Sequence, residues 1–558
     1  MRMSCRCALT TFSMACLLAC GGGSPSGETA PPPPAAITLG PSSLPNGTAG
    51  VAYSQVLTAS GGTSPYTFTV SSGSLPGGLS LSSAGTLSGT PATAGASSFS
   101  VQARDSANRT GTQIFALVVS ASVSGPMVRI GAGTGKAIKP LLGINAGPLP
   151  ASPSMTANLA TAYQTIGVRA VRTHDHLIYP SGQTGPGPLD MSTLYPNRAL
   201  DPNAQGSYDF TISDQHFSAI ISGGFEPFFR LGDSAALAKA PTPSERANWV
   251  QAGVQVIRHY KEAQWNGYSG AIKAVEIWNE PDSVMFWSRS LDEFLSLYVD
   301  TAKALRAAHP TLLIGGPGFT HAGATNFSST GWLKKFLDKV QAEGAPLDFL
   351  SYHVYTNDPE QPASMAAGLR TELDGRGLTG TAIYLTEWNT FTDPVANLDQ
   401  ARLLRSGALG CSILTAGWIR MQDASIDRLF HYRGNDTNSN TPEGYGLFLG
   451  VGTAKLNAYA FQAWSKMAST TERLSVDLQG DSNLRALAGR DGNGKPVILV
   501  VNLGDSSSSW TPTDLSNLAL AGPWQLWTLS DASQSPQTTT PAFPIAIPAR
   551  GVQVLSVP

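Results

Sequence analysis

The chain has 558 residues, of which 42 % are hydrophobic and 13 % are charged, and its formal net charge is −2. This length predicts three or four domains, and the hydrophobic share is enough to build a sizeable core. Because basic and acidic residues nearly balance and no basic stripe stands out, the composition argues against a nucleic acid as partner. The low charge, together with abundant Gly and Pro, is typical of exported, loop-rich proteins.

Residues 1–19 have the pattern of an export signal. Arg2 and Arg6 precede an apolar run, Ala8–Ala19, that is too short to span a bilayer. The run leads into Leu17-Leu18-Ala19-Cys20-Gly21, which resembles the lipobox of bacterial lipoproteins. The resemblance implies that Cys20 becomes the lipidated first residue and anchors the protein in the cell envelope. Since Gly21 stands where an Asp would favour retention in the inner membrane, the outer membrane or cell surface is expected.

Four of the five cysteines lie in this N-terminal segment, and since Cys20 would carry the lipid, only Cys411 remains for the mature fold. The sequence therefore predicts no internal disulfide. Residues 20–36 are rich in Gly and Pro and read as a tether that is flexible at first and then extended.

Residues 37–121 predict a β-sandwich, because short alternating runs are separated by Gly, Pro and Ser turns. Phrases such as Gly61-Gly62-Thr63-Ser64-Pro65-Tyr66 and Gly85-Thr86-Leu87-Ser88-Gly89-Thr90-Pro91 resemble the immunoglobulin-like repeats of bacterial surface proteins. Such a domain binds sugars or surfaces, or serves as a spacer. We favour the spacer, because no cluster of exposed aromatic residues is evident.

Between residues 126 and 467 strands alternate with helical stretches, which predicts a (β/α)8 barrel with its site at the carboxyl ends of the strands. Amphipathic helices are predicted at Ala247–Ala263 and Glu293–Ala308. The eight candidate strands are Leu141–Ala146, Val168–His174, Glu226–Gly232, Val275–Glu280, Leu312–Gly318, Asp348–Tyr355, Ile383–Asn389 and Gly417–Asp423.

Residues 468–558 return to a β pattern, with a predicted hairpin between Leu484–Gly489 and Pro496–Asn502. We expect a C-terminal β-sandwich packed on the barrel and joined by a strand at Met127–Ile130.

Two of the barrel strands end in a carboxylate framed by Trp and Asn. Glu280 follows Trp278 and Asn279 at the end of strand four, and Glu387 lies in Leu385-Thr386-Glu387-Trp388-Asn389 at the end of strand seven. A carboxylate pair at one barrel mouth suits a division into acid/base and nucleophile.

An ordered set of phrases resembles glycoside hydrolase family 39, which contains β-xylosidases and α-L-iduronidases. These phrases are Val171-Arg172-Thr173-His174, Tyr208-Asp209-Phe210, Glu226-Pro227-Phe228-Phe229, Ile277-Trp278-Asn279-Glu280-Pro281-Asp282, Gly315-Gly316-Pro317, Asp348-Phe349-Leu350-Ser351-Tyr352-His353-Val354-Tyr355 and Leu385-Thr386-Glu387-Trp388-Asn389. The resemblance implies a retaining glycosidase that needs no metal and no other cofactor and acts on a carbohydrate. The pattern is lost in Pro180–Ala204, which leaves the sugar open.

The resemblance also implies roles for single residues. Glu280 is expected to be the acid/base and Glu387 the nucleophile, with Asn279 on the sugar 2-hydroxyl. His174 is expected to contact another hydroxyl. Tyr355 or His353 is expected to lie beside Glu387 and help keep it charged, and both are counted among the substrate-binding residues. We also expect an exposed Trp287 or Trp388 to stack on a sugar face.

Two other functions remain open. His174-Asp175-His176, with His321, His353 and Asp423, resembles the ligand inventory of a metal-dependent amidohydrolase, although this function would leave both glutamates without a role. The other is a surface adhesin with an inactive barrel. Arg420 and Asp423, at the predicted end of strand eight, either bind substrate or pair with each other.

Overall fold

The computed structural model describes residues 35–120, 125–148, 158–174, 187–234, 240–391, 397–436, 442–450, 452–513, 523–533 and 535–558. The predicted signal peptide, Cys20 and almost all of the tether lie outside these ranges. Contacts divide the chain into two compact units, Met1–Ser124 and Gly125–Pro558. None of the described helices is long and apolar enough to cross a membrane.

The regular elements in the described part of the first unit, residues 35–120, are all strands, as its alternating pattern predicts. In the longest strand the side chains of Phe115, Leu117 and Val119 are buried, while the residues between them face outward. The strands form sheets in the orders β2-β9-β8-β5, β3-β7-β6 and β1-β4. They are β1 (Thr38–Gly40), β2 (Gly47–Thr48), β3 (Tyr53–Val56), β4 (Thr58–Ser60), β5 (Thr67–Gly73), β6 (Leu79–Leu81), β7 (Thr86–Gly89), β8 (Gly95–Arg104) and β9 (Thr110–Ser120).

The second unit contains a closed barrel of eight parallel strands. The predicted TIM-barrel fold is therefore confirmed. The barrel strands are β11 (Gly143–Asn145), β12 (Ala170–Arg172), β13 (Glu226–Leu231), β14 (Ala274–Ile277), β15 (Leu313–Phe319), β16 (Phe349–Tyr355), β17 (Ala382–Asn389) and β18 (Arg428–His431).

Helices connect the barrel strands. The longest, α5, begins with a capping box in which Ser290 and Glu293 satisfy each other's backbone N–H groups. The α-helices are α1 (Ala160–Thr165), α2 (Met191–Leu194), α3 (Thr211–Ser222), α4 (Arg246–Glu262), α5 (Leu291–Ala308), α6 (His321–Thr325), α7 (Trp332–Glu343), α8 (Gln361–Gly375), α9 (Leu398–Ser406), α10 (Ala408–Met421) and α11 (Leu456–Ala468).

The predicted eighth strand, Gly417–Asp423, is wrong. Most of this segment is the last turn of α10, and the eighth strand is Arg428–His431. The helix α10 packs on α8 and α11 and on strands of the C-terminal sheet, so it is apolar on nearly every side. Such a helix lacks the polar face that would reveal its period, and its apolar run reads equally well as a buried strand.

The C-terminal part forms a nine-stranded sheet in the order β24-β23-β26-β21-β20-β19-β10-β22-β25. The predicted hairpin is present as β20 and β21, and the predicted strand near Met127 is present as β10. The strands are β10 (Met127–Gly133), β19 (Glu472–Gln479), β20 (Leu484–Arg490), β21 (Pro496–Asn502), β22 (Ser508–Thr513), β23 (Gln525–Leu529), β24 (Gln537–Thr539), β25 (Ile545–Ile547) and β26 (Val552–Ser556).

Both faces of this sheet are apolar in its middle strands. One face of β21, including Val497, Leu499 and Val501, belongs to the core that the barrel and its helices share. The other face, including Ile498 and Val500, packs into a separate core with residues of β10, β22 and β25. The barrel and the C-terminal sheet are therefore parts of one compact unit.

Candidate active site

The chain leaves strand β14 through a tight left-handed turn. The backbone φ angles of Trp278 and Glu280 are +77° and +45°, a region that non-glycine residues rarely adopt. Two backbone hydrogen bonds hold the turn, from the Trp278 N–H to the Leu231 carbonyl at 2.8 Å and from the Glu280 N–H to the Gly318 carbonyl at 3.0 Å. The local conformation therefore depends on both neighbouring strands, and it sets where Glu280 stands.

Glu280 and Glu387 meet at the carboxyl-terminal mouth of the barrel. One carboxylate oxygen of each and one ring nitrogen of His353 all lie within 4.8 Å of one another. The Glu387 side chain is 6 % exposed and that of Glu280 is 16 % exposed. The two carboxylates therefore face one space, and Glu280 is the more open of the two.

A buried arginine organises the floor of this space. Arg172, at the end of β12, donates to the Glu276 carboxylate at 2.7 Å and to Glu387 Oε1 at 2.9 Å. It also donates to Asn145 Oδ1 at 2.8 Å and to Asn279 Oδ1 at 2.6 Å. Burial lowers the pKa of Arg172, but the Glu276 and Glu387 carboxylates outweigh that effect and hold the pKa above its usual value. Arg172 is therefore a permanent cation shared by two buried carboxylates.

Asn279 is oriented by this arginine. Its side chain is fully buried, and its Oδ1 is occupied by the bond from Arg172. Among the described residues, its Nδ2 has no hydrogen-bond partner. Because an unmade bond from a buried N–H group is costly, Asn279 is suited to donate to a ligand.

Two histidines flank the carboxylates. His174 Nε2 lies 3.3 Å from Glu387 Oε1, and His353 Nδ1 lies 2.7 Å from Glu280 Oε1. Burial lowers the pKa of both imidazoles, that of His174 strongly, where the Arg172 charge adds to the effect. Both rings are therefore neutral near pH 7 and act as hydrogen-bonding groups rather than as cations.

Tyr355 completes the environment of Glu387. Its hydroxyl donates to Glu387 Oε2 at 2.6 Å, and burial together with this carboxylate raises the tyrosine's pKa, so the hydroxyl keeps its proton. Burial raises the pKa of Glu387 as well, and the nearby Glu280 adds to that rise. The Arg172 charge and the Tyr355 hydrogen bond lower it in part. The charge of Glu387 therefore depends on its donors.

The space above the carboxylates is a cavity of about 350 Å³, within the usual range for small-molecule sites. It contains the two glutamates, a histidine and five aromatic side chains. The described lining residues are His174, Glu280, Met285, Phe286, Tyr355, Glu387, Phe391, Tyr432 and Tyr445.

The expectation that Trp287 or Trp388 is exposed is wrong. Trp287 is 3 % and Trp388 is 1 % exposed. Trp287 packs edge-on against Trp278, and Trp388 packs edge-on against Trp418. The aromatic surface of the cavity comes instead from Phe and Tyr side chains, most of them in loops.

Arg420 and Asp423 each pair with another residue, and neither is among the described residues that line the cavity. Arg420 pairs with Glu360 at 2.6 Å, and Asp423 accepts two hydrogen bonds from Arg473. Arg420 lies in the last turn of α10 and Asp423 follows the helix, so neither residue ends the eighth strand.

The residues proposed for a metal-dependent amidohydrolase are only partly gathered. His174 and His353 lie at the barrel mouth, whereas Asp423 follows α10 and His321 begins α6. Asp175 and His176 lie outside the described residues. The hydrogen bond between His353 Nδ1 and Glu280 already engages two of the atoms that a cation there would need.

Three buried polar residues of the site were not singled out from the sequence: Asn145, Arg172 and Glu276. Glu276 carried a visible signal, because it interrupts the apolar strand between Val275 and Ile277. Such a carboxylate is tolerated in a barrel interior only with a cationic partner. The absence of a side chain at Gly318 leaves room for His353 and Glu276, since a Cβ there would lie 3.0 Å from His353 and 3.3 Å from Glu276.

The second unit belongs to the class of parallel β/α barrels that carry a pair of carboxylates at the mouth. Residues 143–371 match the model of glycosyl hydrolases family 39, and residues 33–120 match an Ig-domain model. The resemblance of the barrel to this family and that of the preceding unit to an immunoglobulin-like domain are therefore confirmed. The family match includes Glu280 and ends before Glu387.

Curated relatives are similar over part of their length. A β-xylosidase of Geobacillus stearothermophilus is 24 % identical over 269 residues, which are 43 % of this chain and 50 % of that protein. A β-xylosidase of Caldicellulosiruptor saccharolyticus is 30 % identical over 230 residues, 37 % of this chain and 44 % of that protein. The chain thus spans about half the length of these relatives.

Solved structures share the fold. A glucosidase from Croceicoccus marinus has a TM-score of 0.63 at 22 % identity and covers 78 % of this chain and 99 % of its own. A family 39 β-xylosidase from Caulobacter crescentus has a TM-score of 0.56 at 18 % identity and covers 77 % of this chain and 99 % of its own. At these identities the likeness speaks for the architecture.

Proposed function

We propose that this protein is a retaining glycosidase that cleaves O-glycosidic bonds with Glu280 as acid/base and Glu387 as nucleophile. The observation that carries the proposal is the approach of the two carboxylates in one cavity, with oxygen atoms within 4.8 Å of each other. Retaining glycosidases hold their carboxyl groups about 5–5.5 Å apart, whereas inverting ones leave about 6.5–9.5 Å for a water molecule.

In the first step the Glu387 carboxylate attacks the anomeric carbon while Glu280 gives its proton to the departing oxygen. A glycosyl ester on Glu387 and a free alcohol result. In the second step Glu280 takes a proton from water, and the water oxygen displaces Glu387 from the sugar. Both glutamates return to their starting states, and the anomeric configuration is retained after two inversions.

The surrounding groups support this division of roles. Arg172 and Tyr355 donate to Glu387 and stabilise its carboxylate form, which is the form that attacks. Asn279 Nδ2 is placed to donate to the 2-hydroxyl, a contact that strengthens in the transition state. His174, which lines the cavity, donates to a further hydroxyl.

The substrate series begins with β-D-xylosides, because two of the similar proteins are β-xylosidases. Glucosides, arabinosides, iduronides and bacterial exopolysaccharides complete the panel. NMR of the first-formed product gives its anomeric configuration, and we expect it to match that of the substrate. A product of opposite configuration contradicts the mechanism, and a panel without any turnover favours the adhesin.

Glu280→Gln and Glu387→Gln are each expected to lower kcat/KM by at least ~10²-fold on a glycoside whose leaving group needs a proton, such as a methyl glycoside. Glu387→Gln removes the nucleophile and should lower kcat/KM for every substrate. Glu280→Gln should lower kcat/KM less for a substrate whose leaving group needs no proton. Glu343→Gln, at the exposed end of α7, is the matched control and is expected to retain full activity. Unchanged rates in either catalytic variant reject its role.

We also propose that the protein is lipid-anchored through Cys20 in the outer membrane or at the cell surface. The proposal rests on Leu17-Leu18-Ala19-Cys20 and on Gly21 after it. Mass spectrometry of the mature N-terminus is expected to find a lipidated Cys20 in the membrane fraction, and Cys20→Ala is expected to abolish this species. Recovery of wild-type protein cleaved elsewhere, without lipid, contradicts the anchor.

A further inference from the structure

Two exposed apolar side chains stand at the mouth of the catalytic cavity. Met285 is 65 % exposed and Phe391 is 60 % exposed, and both line the cavity. The other described lining residues are buried or half-buried, and they include every lining side chain that can form a hydrogen bond. The cavity is thus polar at its floor and apolar at its rim.

Two hydrogen bonds hold the backbone of Phe391. Its N–H donates to Asn357 Oδ1 at 3.0 Å, and Asn357 Nδ2 donates back to the Phe391 carbonyl at 2.8 Å. This pair of bonds ties the segment after Glu387 to the loop that follows β16. A large aromatic ring that is exposed to water lacks hydrophobic stabilisation, which a ligand that covers the ring would supply.

Met285 is also held in place. It belongs to the turn after Glu280, in which the Ser283 N–H donates to the Glu280 carbonyl and the Phe286 N–H donates to the Ser283 carbonyl, each at 3.0 Å. The Trp278 indole N–H anchors the same turn by donating to the Phe286 carbonyl at 3.2 Å. The flexible, polarisable methionine side chain adapts to flat apolar partners.

The acid/base assigned above lines the same cavity as these two side chains. Glu280 is the more exposed carboxylate, and the acid stands beside the oxygen that leaves with the aglycone. The leaving group therefore departs on the Glu280 side of the pair. Met285 belongs to the turn that follows Glu280, and Phe391 lines the same cavity. A polar leaving group would find no hydrogen-bonding side chain on either residue.

We propose that Met285 and Phe391 form an aglycone subsite for an apolar, aromatic leaving group, so that natural substrates are glycosides of aryl-type alcohols rather than unbranched polysaccharides. The inference rests on the proposed glycosidase function. The aglycone ring stacks on Phe391 and contacts the Met285 thioether, while the sugar takes the polar floor.

The test compares four substrates of one sugar: the 4-nitrophenyl glycoside, the methyl glycoside, the glycosyl fluoride and a disaccharide. The series starts with xylose and moves to whichever sugar the panel identifies. For Met285→Ala/Phe391→Ala, we expect kcat/KM on the aryl glycoside to fall by about tenfold or more, mostly through KM. The loss on the fluoride, whose leaving group is too small to reach the rim, is expected to be several-fold smaller.

Two controls match these changes. Val284→Ala alters the adjacent residue of the same turn, which is 86 % exposed and does not line the cavity. Phe543→Ala removes a phenylalanine that is 46 % exposed in the C-terminal part of the chain. Both variants are expected to keep wild-type ratios among the four substrates.

Failure of this inference is distinguishable from failure of the glycosidase proposal. If wild-type protein cleaves none of the four substrates and nothing in the panel, both proposals fall. If it cleaves the fluoride but the double variant loses the same factor on all four substrates, the glycosidase stands and the aglycone subsite is wrong. A loss on the disaccharide as large as that on the aryl glycoside would make the rim a second sugar site and overturn the aromatic assignment.

Discussion

Glu387 sits between one cation and one neutral donor that do different work. Arg172 is shared with Glu276, so its removal would leave two buried carboxylates without their partner and would test stability as much as chemistry. Tyr355 contributes one hydrogen bond to Glu387 and is itself replaceable by a residue of the same shape. It is therefore the cleaner probe of how the protein keeps its nucleophile charged.

Tyr355→Phe is expected to shift the acidic limb of the kcat/KM profile to higher pH. Burial already raises the pKa of Glu387, and the Tyr355 hydrogen bond opposes that rise. Because the carboxylate is the reactive form, activity is lost as pH falls through this pKa, and the loss begins at higher pH when the bond is absent. The size of the displacement measures how much this hydrogen bond contributes to the charged form of Glu387.

Tyr352→Phe is the matched control, because this residue lies on the same strand and its hydroxyl donates to the Pro362 carbonyl at 2.9 Å, away from Glu387. It is expected to lower stability slightly and to leave the pH profile in place. Equal acidic limbs for the wild-type protein and Tyr355→Phe would contradict the role given to the tyrosine hydroxyl.

Residues at strand ends could be predicted from the sequence, and residues in loops could not. Glu280 and Glu387 each follow a recognisable strand, so the barrel itself brings them together. Phe286, Tyr432 and Tyr445 reach the cavity through loops whose course follows from tertiary contacts rather than from any local pattern. The exposure of Trp287 was misjudged for the same reason, because nothing in the local sequence shows that Trp278 covers it.

Strand β10 shows how one element links distant parts of the chain. It precedes the barrel in sequence, yet it lies between β19 and β22 in the C-terminal sheet, antiparallel to one and parallel to the other. Its Val128 and Ile130 are 0 % and 1 % exposed within the sheet's own core. Short alternation made this strand predictable, whereas the uniformly apolar α10 defeated the same criterion.

Ile130→Ala is expected to destabilise the second unit by about 2–4 kcal/mol, since a large aliphatic side chain is removed from a fully packed site. The effect is measured by thermal or urea unfolding, with the loss of the proposed glycosidase activity as the signal. Ile114→Ala is the control, because this isoleucine of the first unit is 71 % exposed. If both variants unfold alike, β10 does not stabilise the catalytic unit.

The whole chain has the broad order that its sequence texture predicts: β-structure, then a parallel barrel, then β-structure again. The sequence pattern alone predicts this order, because the period of hydrophobic residues changes at each domain junction. The identity of the sugar cannot be predicted from this pattern. It depends on loops after the barrel strands, and Pro180–Ala204 carries no period from which its path could be derived.

In the proposed mechanism Glu387 becomes covalently bonded to the sugar, while Glu280 donates and then accepts the proton. The most direct test is to trap that intermediate with an activated 2-deoxy-2-fluoro derivative of the sugar that the panel identifies. Digestion and tandem mass spectrometry are expected to find the fluorosugar on Glu387, with one label per protein and loss of activity in proportion. A label on another residue, or rapid inactivation of Glu387→Gln by the same reagent, would contradict the account.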